Sequence, residues 1–349
     1  MKKVLVIALL VLMVSSVLFA GGGRQQQTAE GGLAVLRTGT IPAFNSVATK
    51  YIIDQGMDVK AGLKLEPISF PTGAPMAEAL GADLLDVGIM SGAAITAISA
   101  YDCFIIGEVN GGAGGIGLWV RPDSPILSVK GVNPRFPDLY GNIDLLRGKQ
   151  VLLPIGTWAQ WIILSWLEAV GGKPEDVEIV HMDFAPAHQA YLAGHGDIVA
   201  QNPPMSFRAM EQGWINAASM DALFLPLTDS VVVNPKTFNN PDKRWALEKF
   251  LELQFDANEI LNADKALAED RLAAWYRDNG ASVTAVDVAF EVAAKKFFTR
   301  EEARSTLVLG AAAKQMAEFM AFAGTLEADR LPKFTSNVRS EIWNAVINR

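Results

Sequence analysis

Three histidines at an even spacing of seven (His181, His188, His195), one cysteine (Cys103) and one glycine-rich run (112–117) are the features of this chain that first invite chemistry. None survives its own requirements. Zinc sites favour short pairings such as H-x3-5-H, whereas these histidines fall on an expected strand, a helix start and a loop. Cys103 stands alone, which excludes an internal disulfide, and its setting in Cys103-Phe104-Ile105-Ile106 is that of a core residue rather than a nucleophile. Gly112-Ala113-Gly114-Gly115-Ile116-Gly117 satisfies G-x-G-x-x-G literally. A dinucleotide site needs that run to open a helix, and here it leads into Leu118-Trp119-Val120 and then Arg121-Pro122, a strand pattern. There is no G-x-S-x-G elbow, Walker A loop, H-E-x-x-H or Cys-His pairing. No catalytic group, metal or cofactor is expected.

What remains is binding chemistry at turns. Thr40-Ile41-Pro42-Ala43-Phe44-Asn45-Ser46, Met90-Ser91-Gly92-Ala93-Ala94 and Ile155-Gly156-Thr157-Trp158-Ala159-Gln160 each carry an expected strand into a helix through small or hydroxyl residues. Free N–H groups and the positive dipole end at such a helix start favour anions and other acceptors, and ligands of open α/β sheets gather outside the carboxyl ends of strands. Ordinary capping explains the same residues. Trp158, Trp161 and Trp166 crowd one helix. Trp158 and Trp161 share a face, so at least one belongs to a core. Trp158, in the first turn, is placed at a cleft, with Phe44 opposite.

Short β-like runs alternate with longer helical ones, which predicts α/β layers with largely parallel sheets. Strands are expected at 33–38, 64–70, 85–90, 104–109 and 117–120, with helices at 46–55, 75–82 and 93–100. The pattern restarts with strands at 151–154, 177–181 and 198–201 and helices at 158–170, 186–193 and 206–212. A strand at 230–234 follows, and from 241 the chain reads as helical almost to its end. Two β/α runs and a helical tail suggest two Rossmann-like lobes, the second inserted into the first, with crossings near Arg121 and Pro226. Lobe 1 would comprise 33–121 and 227–349, and lobe 2 residues 122–226. Two crossings permit hinge bending.

Composition narrows the class further. Half the residues are apolar and the net charge is −8, which argues against nucleic acid, whose phosphates demand clustered Lys and Arg. Residues 1–20 read as an export signal: Lys2 and Lys3, an apolar run over 4–13, Ser15, Ser16 and a small-residue end at Ala20. The run is shorter than the ~20 residues of a membrane span. No Cys follows it, so a lipid anchor is not expected. Polar, Gly- and Gln-rich residues 21–32 read as a flexible leader. Periplasmic location follows as an expectation.

The motifs, taken in order, resemble one family: ABC-transporter substrate-binding proteins of the nitrate, sulfonate and taurine type, related to thiamine-precursor binders. Residues 36–46 resemble its opening strand and first binding loop, and Phe70-Pro71-Thr72-Gly73-Ala74 its F-x-S-G-A turn. Ala82-Asp83-Leu84-Leu85-Asp86-Val87-Gly88 is similar to its G-x-x-D-V-G signal. Residues 118–126 resemble the crossover strand with D-S-x-I, Leu146-Arg147-Gly148-Lys149-Gln150-Val151 the L-K-G-K-x-V segment, and 156–160 the G-S-x-x-H/Q loop. The match runs from about Leu33 to Phe250 and is looser in the tail. Two departures stand out. Gln201-Asn202-Pro203-Pro204 occupies the place of W-E-P or W-D-P, and a Gly- and Pro-rich insertion fills 130–142, as a flap over the cleft or as a surface loop.

The resemblance implies a type II periplasmic-binding-protein fold and capture of a small solute by lobe closure, for delivery to an inner-membrane ABC permease and its ATPase by a monomeric, non-enzymatic protein. Pro42, Phe44, Asn45, Ser91, Gly92, Ala93, Glu108 and Asn110 from the first lobe would meet Gly156, Thr157, Trp158, Gln160 and Asn202 from the second. Helix N-termini suit a sulfonate, carboxylate or nitrate. Glu108 would hold an amine, as in taurine, or else be a solvent-exposed strand end. Trp158 and Phe44 would instead suit an aromatic solute such as a thiamine precursor. A sensor-linked binding protein and an enzyme like the pyrimidine-precursor synthases are the other classes. The latter resemble Cys- and His-rich iron proteins, unlike this chain.

Overall fold

The first sheet grows from β1 (Ala34–Thr40), a strand buried at Leu36 and from Thr38 to Thr40 that pairs in parallel with β2 (Leu63–Ser69) and β3 (Val87–Met90). Helices α1 (Val47–Asp54), α2 (Gly73–Gly81) and α3 (Ala94–Tyr101) make the crossovers. Strand β4 (Phe104–Gly111) is buried along all eight residues, as expected where helices cover both faces of a sheet. The computed structural model describes residues 32–349, and Leu33–Arg349 form one compact unit. The expected export signal and most of the leader lie outside the described residues.

After β4 the chain leaves this sheet. Strand β5 (Gly117–Val120) is antiparallel to β8 (Ile198–Gln201) and β9 (Ile215–Ser219) in a second sheet. The sequence reading set β5 at the end of the first lobe; its hydrogen bonds put it in the second sheet, so the crossing occupies 112–116 rather than Arg121. The glycine run serves that crossing, because Gly112 and Gly115 adopt φ of 97° and 79°, values that L side chains rarely take. The second sheet continues through β6 (Gln150–Leu153), α4 (Trp158–Ala169), β7 (Glu178–His181), α5 (Phe184–Leu192), β8 and α6 (Met205–Glu211). Its strand order is β7-β6-β8-β5-β9.

Residues 220–227 return the chain to the first sheet through β10 (Thr228–Val233), antiparallel to both β3 and β4. The tail follows as α7 (Arg244–Ala263), α8 (Lys265–Asp278), α9 (Ala285–Ala294), the two-residue strand β11 (Lys296–Phe297), α10 (Ala311–Phe322) and α11 (Ser340–Ile347). The first sheet thus has the order β11-β4-β10-β3-β1-β2. One core covers the outer face of this sheet with α1, α7, α8 and α11. A larger one runs from α2 and α3 to α4 and includes Met316 and Met320 of α10, so α10 packs into both lobes. Trp119, Tyr191 and Trp214 fill the outer face of the second sheet.

The G-x-x-D-V-G resemblance has a structural role here. Asp86 is buried and accepts hydrogen bonds from the Arg37 backbone (2.8 Å), the Arg37 guanidinium (3.0 Å) and Thr237 Oγ1 (2.7 Å), joining β1, β3 and the segment after β10. Burial pushes its carboxyl up, but these bonds outweigh that and hold it below the usual carboxylate range. Its contribution is therefore in place above the unfolded-state value near pH ~4 and lost as acid protonates the folded form. Asp86→Asn is expected to cost about 2 kcal/mol at neutral pH, measured as a lowered urea midpoint at constant slope. An unchanged midpoint would reject this role.

The 130–142 insertion is stitched to the second lobe. Asn133 donates to the Ala169 carbonyl (2.9 Å), Trp166 Nε1 to the Tyr140 carbonyl (2.9 Å) and the Tyr140 N–H to the Ala217 carbonyl (3.0 Å).

Candidate functional site

Every strand-to-helix turn on one side of the two sheets opens into a single cavity of about 430 Å³. The first sheet contributes Ile41–Ala43 after β1, Pro71–Gly73 after β2 and Met90, Ser91 and Ala93 after β3. The second contributes Thr157 and Trp158 after β6, Asp183–Pro186 after β7 and Asn202–Met205 after β8. Carboxyl ends of parallel strands from two sheets therefore face each other, the position in which open α/β sheets hold ligands. Residues 279–281, just beyond α8, close one side.

Four helices of eight residues or more, α2, α3, α4 and α5, begin at this cavity. Their dipoles favour negative charge at this end, although α3 already uses first-turn N–H groups locally, Ala94 and Ile95 donating to the Ser91 and Gly92 carbonyls (2.9 and 3.1 Å). Thr157 caps α4, accepting from the Ala159 N–H (3.3 Å) while donating to the Pro154 carbonyl (2.8 Å). Thr72, which precedes α2, donates from Oγ1 to Asp183 Oδ1 (3.2 Å). That bond joins the turn after β2 to the turn after β7 across the cleft.

The rest of the wall is apolar. The Trp158 and Phe184 rings stack at 5.0 Å and 8°, and Met90, Met205 and several prolines complete the surface. Among the described residues, the only charged side chains lining it are Asp183 and Arg208. Asp183 is engaged with Thr72. Arg208, half-buried on α6, is the one cation. Its field reaches His188, whose imidazole is held below its ordinary value first by burial and further by Arg208.

Of the residues selected from sequence, Pro42, Ser91, Ala93, Thr157, Trp158 and Asn202 line the cavity. The others stand behind it. Phe44 is turned away from Trp158 and stacks on Phe297 (4.2 Å) in the first-lobe core. Trp158 takes its aromatic partner from its own lobe. Asn45 donates to the Ile89 carbonyl (3.2 Å) and Asn110 to the Asn45 carbonyl (3.3 Å), fixing the turn from beneath. Gly92 allows the two lobes to touch, since a Cβ there would overlap the backbone nitrogen of Trp158. Gln160 accepts from the Gly156 N–H (3.0 Å) and shapes the loop before α4.

Glu108 is neither an amine ligand of this cavity nor an exposed strand end. It is 1% exposed and accepts from Ser230 Oγ (3.0 Å) and the Gly310 N–H (3.1 Å). Burial pushes its carboxyl up to about 7, against the pull of the Thr228 and Ser230 hydroxyls and the Gly310 N–H. It ties β4, β10 and the start of α10 together.

Asp183 reads from sequence as a turn residue and Phe184 carries no assignment there, although the two form the same kind of strand-to-helix turn as those selected. Pro71-Thr72-Gly73 belongs to the resembling motifs without a ligand role. Arg208 and 279–281 carried no sequence signal. The histidines have separate surroundings: His181 Nδ1 accepts from the Ile155 N–H (3.1 Å), His188 packs on Trp214, and His195 offers its carbonyl to Arg121. Among the described residues no three potential metal ligands cluster, and no helix is long and apolar enough to cross a membrane.

No protein-family model matches the chain. A protein of Brachyspira hyodysenteriae, named for the ABC transporter periplasmic binding proteins, is 35% identical over 347 residues, covering 99% of each chain. The nitrate-binding protein of Synechocystis PCC 6803 superposes with a TM-score of 0.71 at 14% identity, over 90% of this chain and 89% of that one. The alkanesulfonate-binding protein of Xanthomonas axonopodis pv. citri, solved with MOPS, gives 0.67 at 16% identity over 88% and 99%. These two likenesses establish the periplasmic-binding-protein fold. On the near full-length identity to the Brachyspira protein, this chain belongs to the periplasmic solute-binding proteins of ABC transporters.

Proposed function

We propose that the cleft captures a small organic monoanion, a sulfonate or carboxylate carried on a flat apolar or aromatic body. The observation that carries this reading is the division of the wall: Arg208 and four helix N-termini for the charge, the Trp158–Phe184 stack for the body. Asp183, the N-cap of α5, keeps its negative charge while accepting from Thr72, so a net positive character comes only from Arg208 together with the helix N-termini. Its volume of about 430 Å³ suits a small molecule and would be left largely unfilled by a bare nitrate ion. A sulfonate ligand is also what the Xanthomonas protein's name records.

Closure would occur about the two connections, 112–116 and 220–227, burying the anion where its hydrogen bonds gain strength. The protein would be exported by residues 1–20, act as a monomer without a catalytic step, and present its closed form to an inner-membrane permease with its ATPase.

Titration calorimetry of the full chain with 4-toluenesulfonate, benzoate, taurine, nitrate and a neutral aminopyrimidine tests the reading. The aryl anions are expected to bind at least tenfold tighter than nitrate, a difference of about 1.4 kcal/mol or more. Equal affinity for nitrate, or preference for the neutral heterocycle, would overturn it.

A further inference from the structure

The 130–142 insertion does not line the cleft; it builds a second cavity. Of about 380 Å³, this space lies between the insertion, the flank of α4, the returning segment at Leu223–Leu225, and α10 of the tail. Two of its wall residues on α4, Trp161 and Ser165, are 2% and 6% exposed. They are four apart and so share a helix face. Trp161 Nε1 and Ser165 Oγ are both buried without a hydrogen-bond partner among the described residues. An unmet buried donor is costly, and such groups in native proteins call for an explanation. A tryptophan N–H can only donate, so the missing partner is an acceptor.

The lining carries one charge of each sign, Arg135 and Glu168, so it favours neither an anion nor a cation, and much of what remains is aromatic. Phe136 of the insertion and Phe224 lie with ring centroids 5.9 Å apart, and Phe319 of α10 also faces the space. Phe224 is 67% exposed and has φ of +54°, an unusual backbone state for a bulky residue. An exposed ring held in a strained backbone is the kind of outlier found at ligand clamps.

We propose that this cavity is a second small-molecule site, separate from the cleft, for a flat neutral compound bearing a hydrogen-bond acceptor at one edge. The acceptor meets Trp161 Nε1–H and Ser165 O–H, and the flat body lies against Phe136 and Phe224. The volume sets the size of the occupant at one or two fused rings, and the paired orphan groups favour a small molecule over a docked protein surface.

Quinoline, neutral above its pyridine-like pKa and carrying one ring acceptor, is the probe. In ¹H–¹⁵N spectra of the full chain, the indole signal of Trp161, assigned with Trp161→Phe, is expected to move downfield and saturate at millimolar quinoline. Ala169→Phe, which fills the space from the end of α4, is expected to weaken that response at least tenfold. Ala185→Trp, at an exposed position in the cleft away from Trp161, is expected to leave it unchanged. A Trp161 signal indifferent to quinoline overturns the proposal without recourse to any variant. So does a response that survives Ala169→Phe, or one abolished by Ala185→Trp, which would place quinoline in the cleft.

Discussion

Glu108→Gln is expected to remove a loss of stability that the parent protein suffers between mildly acidic and mildly alkaline pH. The carboxyl lies under β10 and the start of α10 with its folded value raised to about 7. A raised acid binds more protons folded than unfolded, so its contribution is complete below the unfolded value and declines as pH rises through 7. From the ordinary 4.5 to about 7, at ~1.4 kcal/mol per unit, the loss amounts to roughly 3 kcal/mol. The Gly310 N–H and two hydroxyls already compensate the charge in part; without them the rise would be greater. Glutamine keeps the shape and stays neutral, so its unfolding free energy is expected to fall roughly 3 kcal/mol less than the parent's as pH rises. Asp229, pushed to about 6 by desolvation and drawn back by Lys295 and Asn45, adds a decline of its own at lower pH in both proteins, and its charge is one of the influences that raise Glu108. The measurement is the difference in urea-derived stability across pH 5 to 8 at constant ionic strength. Parallel curves for parent and variant would show that Glu108 does not titrate in this range.

The same residue shows where sequence and structure part company. Glu108 stands in a run whose other members are apolar or small, and a carboxylate at a strand end reads as ligand-facing or solvent-facing. Its burial follows from β10 inserting beside β4 after the whole second lobe, and from Gly310 arriving 202 residues later. Neither partner has a local signature. Strand positions fared better where apolar residues were continuous, as at Ile198–Gln201. The reading missed β9, Ile-Asn-Ala-Ala-Ser, because small and polar residues carry little β preference and the strand is held by its neighbour β5. It also missed β11, two residues long.

At the cleft, sequence located the turns more reliably than the side chains. A strand-to-helix turn can be recognised from its small and hydroxyl residues, but each helical step rotates the next side chain by about 100°. Adjacent positions thus face the ligand or the core according to the packing around them. Ser91 and Ala93 face the cavity while Gly92 meets the other lobe. Phe44 was drawn to a core ring, Phe297, that lies in the tail. The helical tail contributes 279–281 to the cavity and α10 to the junction of the lobes, roles that helix propensity alone does not reveal.

If the cleft takes an anion as proposed, substitution of Arg208 separates charge from shape in capture. Removing one partner of a desolvated charge pair costs about 2–5 kcal/mol, much of it from the charge left behind. Arg208→Gln is accordingly expected to weaken 4-toluenesulfonate binding about 100-fold, near 2.7 kcal/mol, seen mainly as faster dissociation. The loss should be specific. A neutral aromatic held by Trp158 and Phe184 has no need of the guanidinium, so its affinity should change by less than about threefold, below 1 kcal/mol. Added salt separates this from a rim effect, because exposed charges are screened at a Debye length of ~8 Å while a buried pair is not. If Arg208 merely steers the ligand, the variant's deficit will shrink as salt rises; if it holds the bound anion, the deficit will persist. Unchanged sulfonate affinity in Arg208→Gln would leave the four helix N-termini as the whole anion site and would sink the role assigned to this side chain.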